Sequence, residues 1–176
     1  MKLTYGLTFV ALLLCGVVAC DDDDDNESNA SKTDREFLQN AGLANLAEVE
    51  MGAVAQDSAS DSDVGDFGSH MVQEHTTAWN DLKNIADNKK VDLPKEPNRT
   101  HKMKLESIMM LRGYQFDTAY VNSQVKDHQM AIALFTAAQA NANDDDVRAY
   151  ATRYLPHLQE HLTNALELQA ALADGP

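Results

Sequence analysis

Apolar side chains recur every three or four residues from about residue 34 to residue 172, which is the spacing of a buried stripe along an α-helix. No segment shows sustained alternation of apolar and polar residues, and β-branched residues are sparse. The pattern therefore predicts an all-α protein with no β-sheet.

Breaks in this periodicity divide the region into four long helices and one short helix. Thr33 and Glu36 fit a capping box, which opens a first helix ending near Ala59. The other helices are predicted from Ser60–Asp63 to Lys89, from Asn98 to Leu111, from Tyr114 to Ala142, and from Asn143 or Asp144 to Leu172. Short connections between long helices favour an antiparallel four-helix bundle, with the short extra helix before the third long helix.

The first twenty residues have a different pattern. Lys2 precedes an apolar run from Leu3 to Ala19, which ends at Cys20. The run is too short for a membrane span and lacks its basic flank, so residues 1–19 are predicted to be a secretory signal. The residues around the cysteine resemble the lipobox of bacterial lipoproteins, which implies acylation at Cys20 and a lipid anchor in the cell envelope. Cleavage elsewhere, giving a free secreted protein, is the alternative.

Residues 20–33 consist of this cysteine, five aspartates and then mainly polar residues. They hold no aliphatic or aromatic side chain to bury, so we expect an extended acidic tether, with residues 34–174 as the bundle domain. An acidic run after a lipid-bearing cysteine resembles an inner-membrane retention signal in some bacteria and a surface-export signal in others. The sequence leaves the membrane and the leaflet open.

Charge and cysteine content narrow the range of partners. The formal charge is −14, and it becomes −15 when the single positive charge of Lys2 is removed with the signal. Such a surface repels phosphate backbones, so we expect no nucleic-acid partner. The two cysteines are Cys15, inside the signal, and Cys20, so the mature domain must be held together by its core without a disulfide.

One polar side chain interrupts the apolar stripe of each long helix near its middle. These are Glu48 in the first helix, His75 in the second, His128 in the third and His161 in the last. Because the midpoints of bundled helices coincide, we expect the four side chains to share one layer. His157 lies one turn before His161 on the same side of its helix. Polar groups in an apolar layer must pair with one another, bind water or bind an ion.

Three interpretations of this layer stay open. Imidazoles with a carboxylate form an ordinary ligand set for a single Zn, Fe, Mn or Cu ion. Alternatively, the same groups form a metal-free hydrogen-bond network that fixes the register of the helices in a structural or partner-binding module. A metal-dependent redox enzyme is the third class, and it requires an open coordination position. We expect no catalytic activity.

Several metal-related patterns in the chain carry less weight. His157 to His161 matches the His-x-x-Glu-His spacing of one zinc peptidase class, but too little chain follows to supply its further ligand. No histidine has a glutamate three residues before it, which disfavours a ferritin-type dinuclear site. Met103, Met109 and Met110 are predicted to fill the core beneath the short helix.

Short motifs in a fixed order resemble one bacterial family. They are Ala47–Gly52, Met71–His75, Gly113-x-x-Phe116-Asp117-x-x-Tyr120, Val125-x-x-His128 with Leu134-Phe135, and Leu155-Pro156 with His161-Leu162. Over roughly residues 34–170 they resemble the domain of unknown function labelled "predicted outer membrane protein". The resemblance implies a ferritin-like bundle and an envelope location, and it places the family's recurring polar core positions at Glu48, His75, His128 and His161. It implies no activity.

Overall fold

The computed structural model describes residues 28–173, so the predicted signal, Cys20 and the aspartate run lie outside the described residues. Within residues 28–173 the protein is all-helical, with five helices and no strand. The helices are α1 (Lys32–Ser58), α2 (Ser62–Asn88), α3 (Arg99–Met109), α4 (Tyr114–Asn141) and α5 (Asp145–Ala173). The all-α prediction is therefore confirmed. None of these helices is long and apolar enough to span a bilayer.

The first helix begins earlier than the capping box predicted. Ser31, and not Thr33, is the N-cap: its Oγ accepts a hydrogen bond from the Asp34 backbone N–H (3.1 Å) and donates one to the Asp34 carboxylate (2.8 Å). Ser-x-x-Asp and Thr-x-x-Glu both satisfy the capping pattern, and the Asp34 partner decides between them. The backbone N–H of Asn29 also donates to the Lys89 carbonyl (3.0 Å), so residues 28–31 contact the rest of the fold.

Two buried aspartates fasten helix starts to distant loops. The Asp34 carboxylate accepts hydrogen bonds from two backbone N–H groups in the loop between α4 and α5 (3.0 and 3.2 Å). The Asp117 carboxylate, at the start of α4, accepts from the backbone N–H groups of Ser60 and Asp61 (both 3.0 Å) in the loop between α1 and α2. The start of α1 is thereby hydrogen-bonded to the loop between α4 and α5, and the start of α4 to the loop between α1 and α2.

We expect Asp117→Asn to lower the free energy of unfolding by about 1.5–3 kcal/mol, measured by urea denaturation. An amide has one accepting oxygen, so one of the two backbone N–H groups would face an NH₂ group. Asp66→Asn, at an exposed position of α2, makes the same change in charge and serves as the control. Equal midpoints for the two variants would contradict the fastening role.

The four long helices pack against one another, most extensively α1 with α2 and α4 with α5. Two apolar clusters occupy the space between them, one built around Phe37, Leu82 and Phe135 and the other around Met71 and Phe116. Buried Glu48, His75, His128 and His161 belong to neither cluster. The polar layer therefore has its own place in the core, surrounded by apolar side chains.

The short helix α3 contacts α1 and α4 from outside. The prediction that its methionines fill the core is wrong, because Met103, Met109 and Met110 are 54%, 47% and 83% exposed. Ile108 is the buried residue of α3. A single turn of contact is enough to hold a helix of this length, and the methionines lie on its outer side.

Candidate metal site

Three histidines from three helices meet in the interior. His75 of α2, His128 of α4 and His161 of α5 have ring centroids 5.3 to 5.7 Å apart, and each is at most 4% exposed. One ring nitrogen from each lies within 4.8 Å of the other two. The prediction that these three side chains share one layer is confirmed, and we call them the inner histidines.

Hydrogen bonds fix where the His75 ring carries its proton. The Tyr150 hydroxyl donates to the Ala78 carbonyl (3.1 Å), so it accepts the bond from Asn45 Nδ2 (3.1 Å). Asn45 Oδ1 then faces His75 Nδ1 at 2.9 Å and accepts its proton. The lone pair is left on Nε2, which is buried without a hydrogen-bond partner. Metal-binding histidines show this arrangement, with one nitrogen held by an acceptor and the other free.

The His128 ring is oriented in the same way. Its Nδ1 lies 3.0 Å from the Gln124 backbone carbonyl, which can only accept, so the proton is on Nδ1. Its Nε2 lies 3.3 Å from His161 Nδ1. Two nitrogens bound to one tetrahedral Zn²⁺ are about 3.3 Å apart, given Zn–N bonds of about 2.0–2.1 Å. The same distance also allows His161 to donate a weak hydrogen bond to His128.

Burial controls the protonation of His75 and His161. Burial and the neighbouring His128 lower the pKa of His161 to about 3. Burial, together with the same neighbour, also lowers the pKa of His75 well below its ordinary value. Both rings are therefore neutral at neutral pH, which is the form that coordinates a metal ion.

Glu48 lies next to this group without joining it. Its carboxylate accepts a hydrogen bond from Gln124 Nε2 (2.8 Å), and burial raises its pKa. It is not one of the residues whose ligand atoms lie within 4.8 Å of one another. The side chains that already lie close enough to share an ion are thus the three histidines, and Glu48, the fourth predicted ligand, is hydrogen-bonded to Gln124 beside them.

A cavity of about 170 Å³ adjoins the inner histidines on the side of α1 and α4. Glu48, His75 and His128 line it, together with His101 of α3 and exposed Met130, so it reaches the surface. His101 Nδ1 is buried there without a hydrogen-bond partner. The space is large enough for several water molecules.

His157 lies outside the inner group. Its side chain is 46% exposed, and its Nδ1 is 3.1 Å from Glu74 Oε2 on α2. His157, predicted as a possible additional ligand, is therefore paired with Glu74 and is not one of the inner histidines. The sequence also missed His70, whose ring centroid is 5.3 Å from that of His161. Its spacing of four residues from Glu74 was the available signal.

The chain belongs to a family described as a domain of unknown function (DUF4142), whose model matches residues 21–168. No curated protein matches the chain.

Two solved structures are similar in fold. One is the DUF305 protein from Streptomyces coelicolor, 13% identical with a TM-score of 0.70 over 80% of this chain and 92% of that chain. The other is a DUF305 fragment from Deinococcus radiodurans, 10% identical with a TM-score of 0.71 over 82% of this chain and 98% of that chain. At these identities the likeness concerns the fold alone.

Proposed function

We propose that this protein is a lipid-anchored helical bundle of the cell envelope that binds one transition-metal ion through His75, His128 and His161. The observation that carries the proposal is the buried Nε2 of His75, which has no partner while Asn45 holds its Nδ1. A buried acceptor without a partner is costly, and an ion between the three rings would satisfy it. We assign no catalytic activity to the site.

The proposed bundle is antiparallel and ferritin-like. Contacts at both ends of the helix pairs support this arrangement: Asn29, just before α1, bonds to Lys89 after α2, and the Tyr114 hydroxyl at the start of α4 donates to the Leu172 carbonyl near the end of α5 (2.8 Å). Asp34, at the start of α1, bonds to the loop after α4, and Asp117, at the start of α4, bonds to the loop after α1, as expected if α1 and α4 are antiparallel. A polar layer at mid-height is where bundles place their metal ligands.

The donor set favours Zn²⁺ or Cu²⁺. Three imidazoles suit Zn, Cu and Fe, whereas Mn²⁺ prefers carboxylate and water oxygens, and Glu48 is held by Gln124. Three protein ligands leave a fourth position for water or another ligand. The cavity of about 170 Å³ beside His75 and His128 is the space such a ligand would occupy.

The test is Zn²⁺ titration of tag-free, chelator-treated protein by calorimetry. We expect one equivalent per chain, and His128→Ala should weaken binding at least a hundredfold because it removes one of three ligands. Gln159→Ala, which truncates a side chain on the solvent-exposed side of α5, should leave the affinity unchanged. Saturation at a hundred times Kd should raise the unfolding free energy by about 2.7 kcal/mol. Wild-type protein that takes up none of Zn²⁺, Cu²⁺ and Fe²⁺ at micromolar concentration would exclude the metal site.

A metal-free network is the second candidate, because the 3.3 Å contact also fits a hydrogen bond from His161 Nδ1 to His128 Nε2. In that case no ion stabilises the protein, and His128→Ala costs about 1–3 kcal/mol by leaving buried groups unpaired. The network leaves His75 Nε2 without a partner, which is why we prefer the ion.

The anchor is tested separately. Cys20 follows the predicted signal, and the Streptomyces coelicolor relative is described as a candidate secreted protein. We expect wild-type protein to incorporate labelled fatty acid and to sediment with membranes. Cys20→Ser should do neither, whereas Cys15→Ser, within the signal, should behave as wild type. Equal labelling of Cys20→Ser and wild type would exclude the lipoprotein assignment.

A further inference from the structure

Where helices α2 and α5 face each other, three side chains of metal-binding type lie outside the inner group, next to His161. His70 and Glu74 lie one turn apart on α2, and His157 and His161 lie one turn apart on α5, so each pair occupies one side of its helix. Across the interface His157 Nδ1 is 3.1 Å from Glu74 Oε2, and the rings of His70 and His161 are 5.3 Å apart. The Glu74–His157 pair and the His70–His161 pair therefore lie one helical turn apart between α2 and α5.

The solvent exposure of these side chains decreases from the surface to the interior. His70 is exposed, and the side chains of His157 and Glu74 are 46% and 29% exposed, whereas His161 is 2% exposed. Glu74 and His157 also share the lining of a cavity of about 10 Å³ with His75 and His161. That volume is about the size of one water molecule. The outer pair thus has a short internal path to two of the inner histidines.

We propose that Glu74 and His157, with His70 beside His161, form an outer capture point, which takes up a divalent transition-metal ion and passes it through His161 to the inner histidines. This inference rests on the proposed metal function. The inner group is buried and contains no carboxylate, so an ion entering it must lose its water without meeting a negative charge. Glu74 supplies one negative charge where the ion is still partly hydrated, which lowers the cost of that step.

A simple surface ion pair would explain the Glu74–His157 contact alone. It would not explain why His70 contacts His161, the one inner histidine with a ring neighbour on the surface. His161 is the member common to both groups, and it contributes to the inner group within 4.8 Å of His75 and His128. An ion bound outside would therefore exchange one ligand at a time.

The experiment separates the rate of loading from the affinity. Metal-stripped protein of full length is mixed with Zn²⁺ in a stopped-flow instrument, and free Zn²⁺ is followed with a chromophoric chelator. The variants are Glu74→Gln, His157→Ala, their combination, and His70→Ala on the neighbouring pair. Glu160→Gln, at an exposed site on α5, matches the charge change, and Gln159→Ala, exposed on the same helix, matches the truncation to alanine.

We expect the combined variant to load Zn²⁺ at least ten times more slowly than wild type, while its equilibrium affinity stays within tenfold and both controls load at the wild-type rate. His70→Ala should slow loading in the same direction. A smaller effect on the rate would overturn the capture point and leave the inner site standing. A loss of equilibrium affinity beyond tenfold would overturn it too, because these residues would then be permanent ligands. A wild type that binds none of Zn²⁺, Cu²⁺ and Fe²⁺ would instead contradict the proposed function itself.

Discussion

Gly68→Ala is expected to lower the free energy of unfolding by about 3 kcal/mol, because it inserts a methyl group where two helices touch. A Cβ at Gly68 would lie 2.7 Å from the carbonyl oxygen of Gly52 and 2.8 Å from Ala55 Cβ. Both atoms are fixed on α1, so no side-chain rotation relieves the contact. α1 and α2 would have to move apart, which disturbs the packing around Met71 as well.

Gly65→Ala is the matched control on the same helix. The nearest atom to a Cβ at Gly65 is Ala59 Cβ at 3.8 Å, an ordinary van der Waals contact. Alanine is a better helix former than glycine, by up to about 1 kcal/mol, so this variant should be more stable than wild type. Urea denaturation of both variants measures the difference. If the two substitutions shift the midpoint in the same direction, the close contact of α1 with α2 is not as described.

The helices could be predicted from the sequence because their signals are local. Apolar residues repeat at the helical period, and Asp61, Asn98 and Asp144 are capping residues at the breaks. The start of α1 was misplaced because the choice between two capping patterns depends on Asp34, whose partners are in the loop before α5. Periodicity treats an aspartate as a solvent-facing residue, so burial of Asp34 and Asp117 could not be anticipated from it.

The inner histidines were found for a similar reason. Each interrupts an apolar stripe, and a stripe reports which residues face the core without reference to distant partners. The partners that orient the rings are non-local: Asn45 bonds to Tyr150, 105 positions away along the chain. Spacing also cannot show that Gln124 holds Glu48. His70 was missed because it lies outside the stripe, on the exposed side of α2.

Chelator-treated protein is expected to lose stability steeply as the pH falls below about 6.5. The pKa of His161 in the folded protein is about 3, and that of His75 is well below its ordinary value of 6.5. At a pH between the pKa of these histidines in the unfolded chain and their pKa in the folded protein, they are protonated in the unfolded chain and neutral in the folded protein. Lowering the pH therefore favours unfolding. Each of the two histidines contributes up to roughly 1.4 kcal/mol per pH unit in that window.

Glu48 acts in the opposite direction. Its pKa is raised above the ordinary 4.5, so above pH 4.5 the folded protein holds a proton that the unfolded chain releases, and its contribution to stability falls as the pH rises. Glu48→Gln cannot titrate, and it keeps a side-chain oxygen that can accept the hydrogen bond from Gln124 Nε2. The unfolding free energy of the wild type should therefore rise less steeply with pH than that of Glu48→Gln. Lys104, Asp127, His70 and His157 are the other charged or titratable groups near these residues.

His161→Gln provides the decisive comparison for the acid response. Removing this histidine should reduce the slope of unfolding free energy against pH by up to roughly 1.4 kcal/mol per pH unit between pH 6.5 and 4, because one proton fewer is taken up on unfolding. Urea denaturation at half-unit pH intervals measures the slope, and Gln159→Ala, which truncates an exposed side chain that does not titrate, is the control. Equal slopes in wild type and His161→Gln would show that His161 is protonated in the folded protein. His161 would then not be in the neutral form that binds a metal ion.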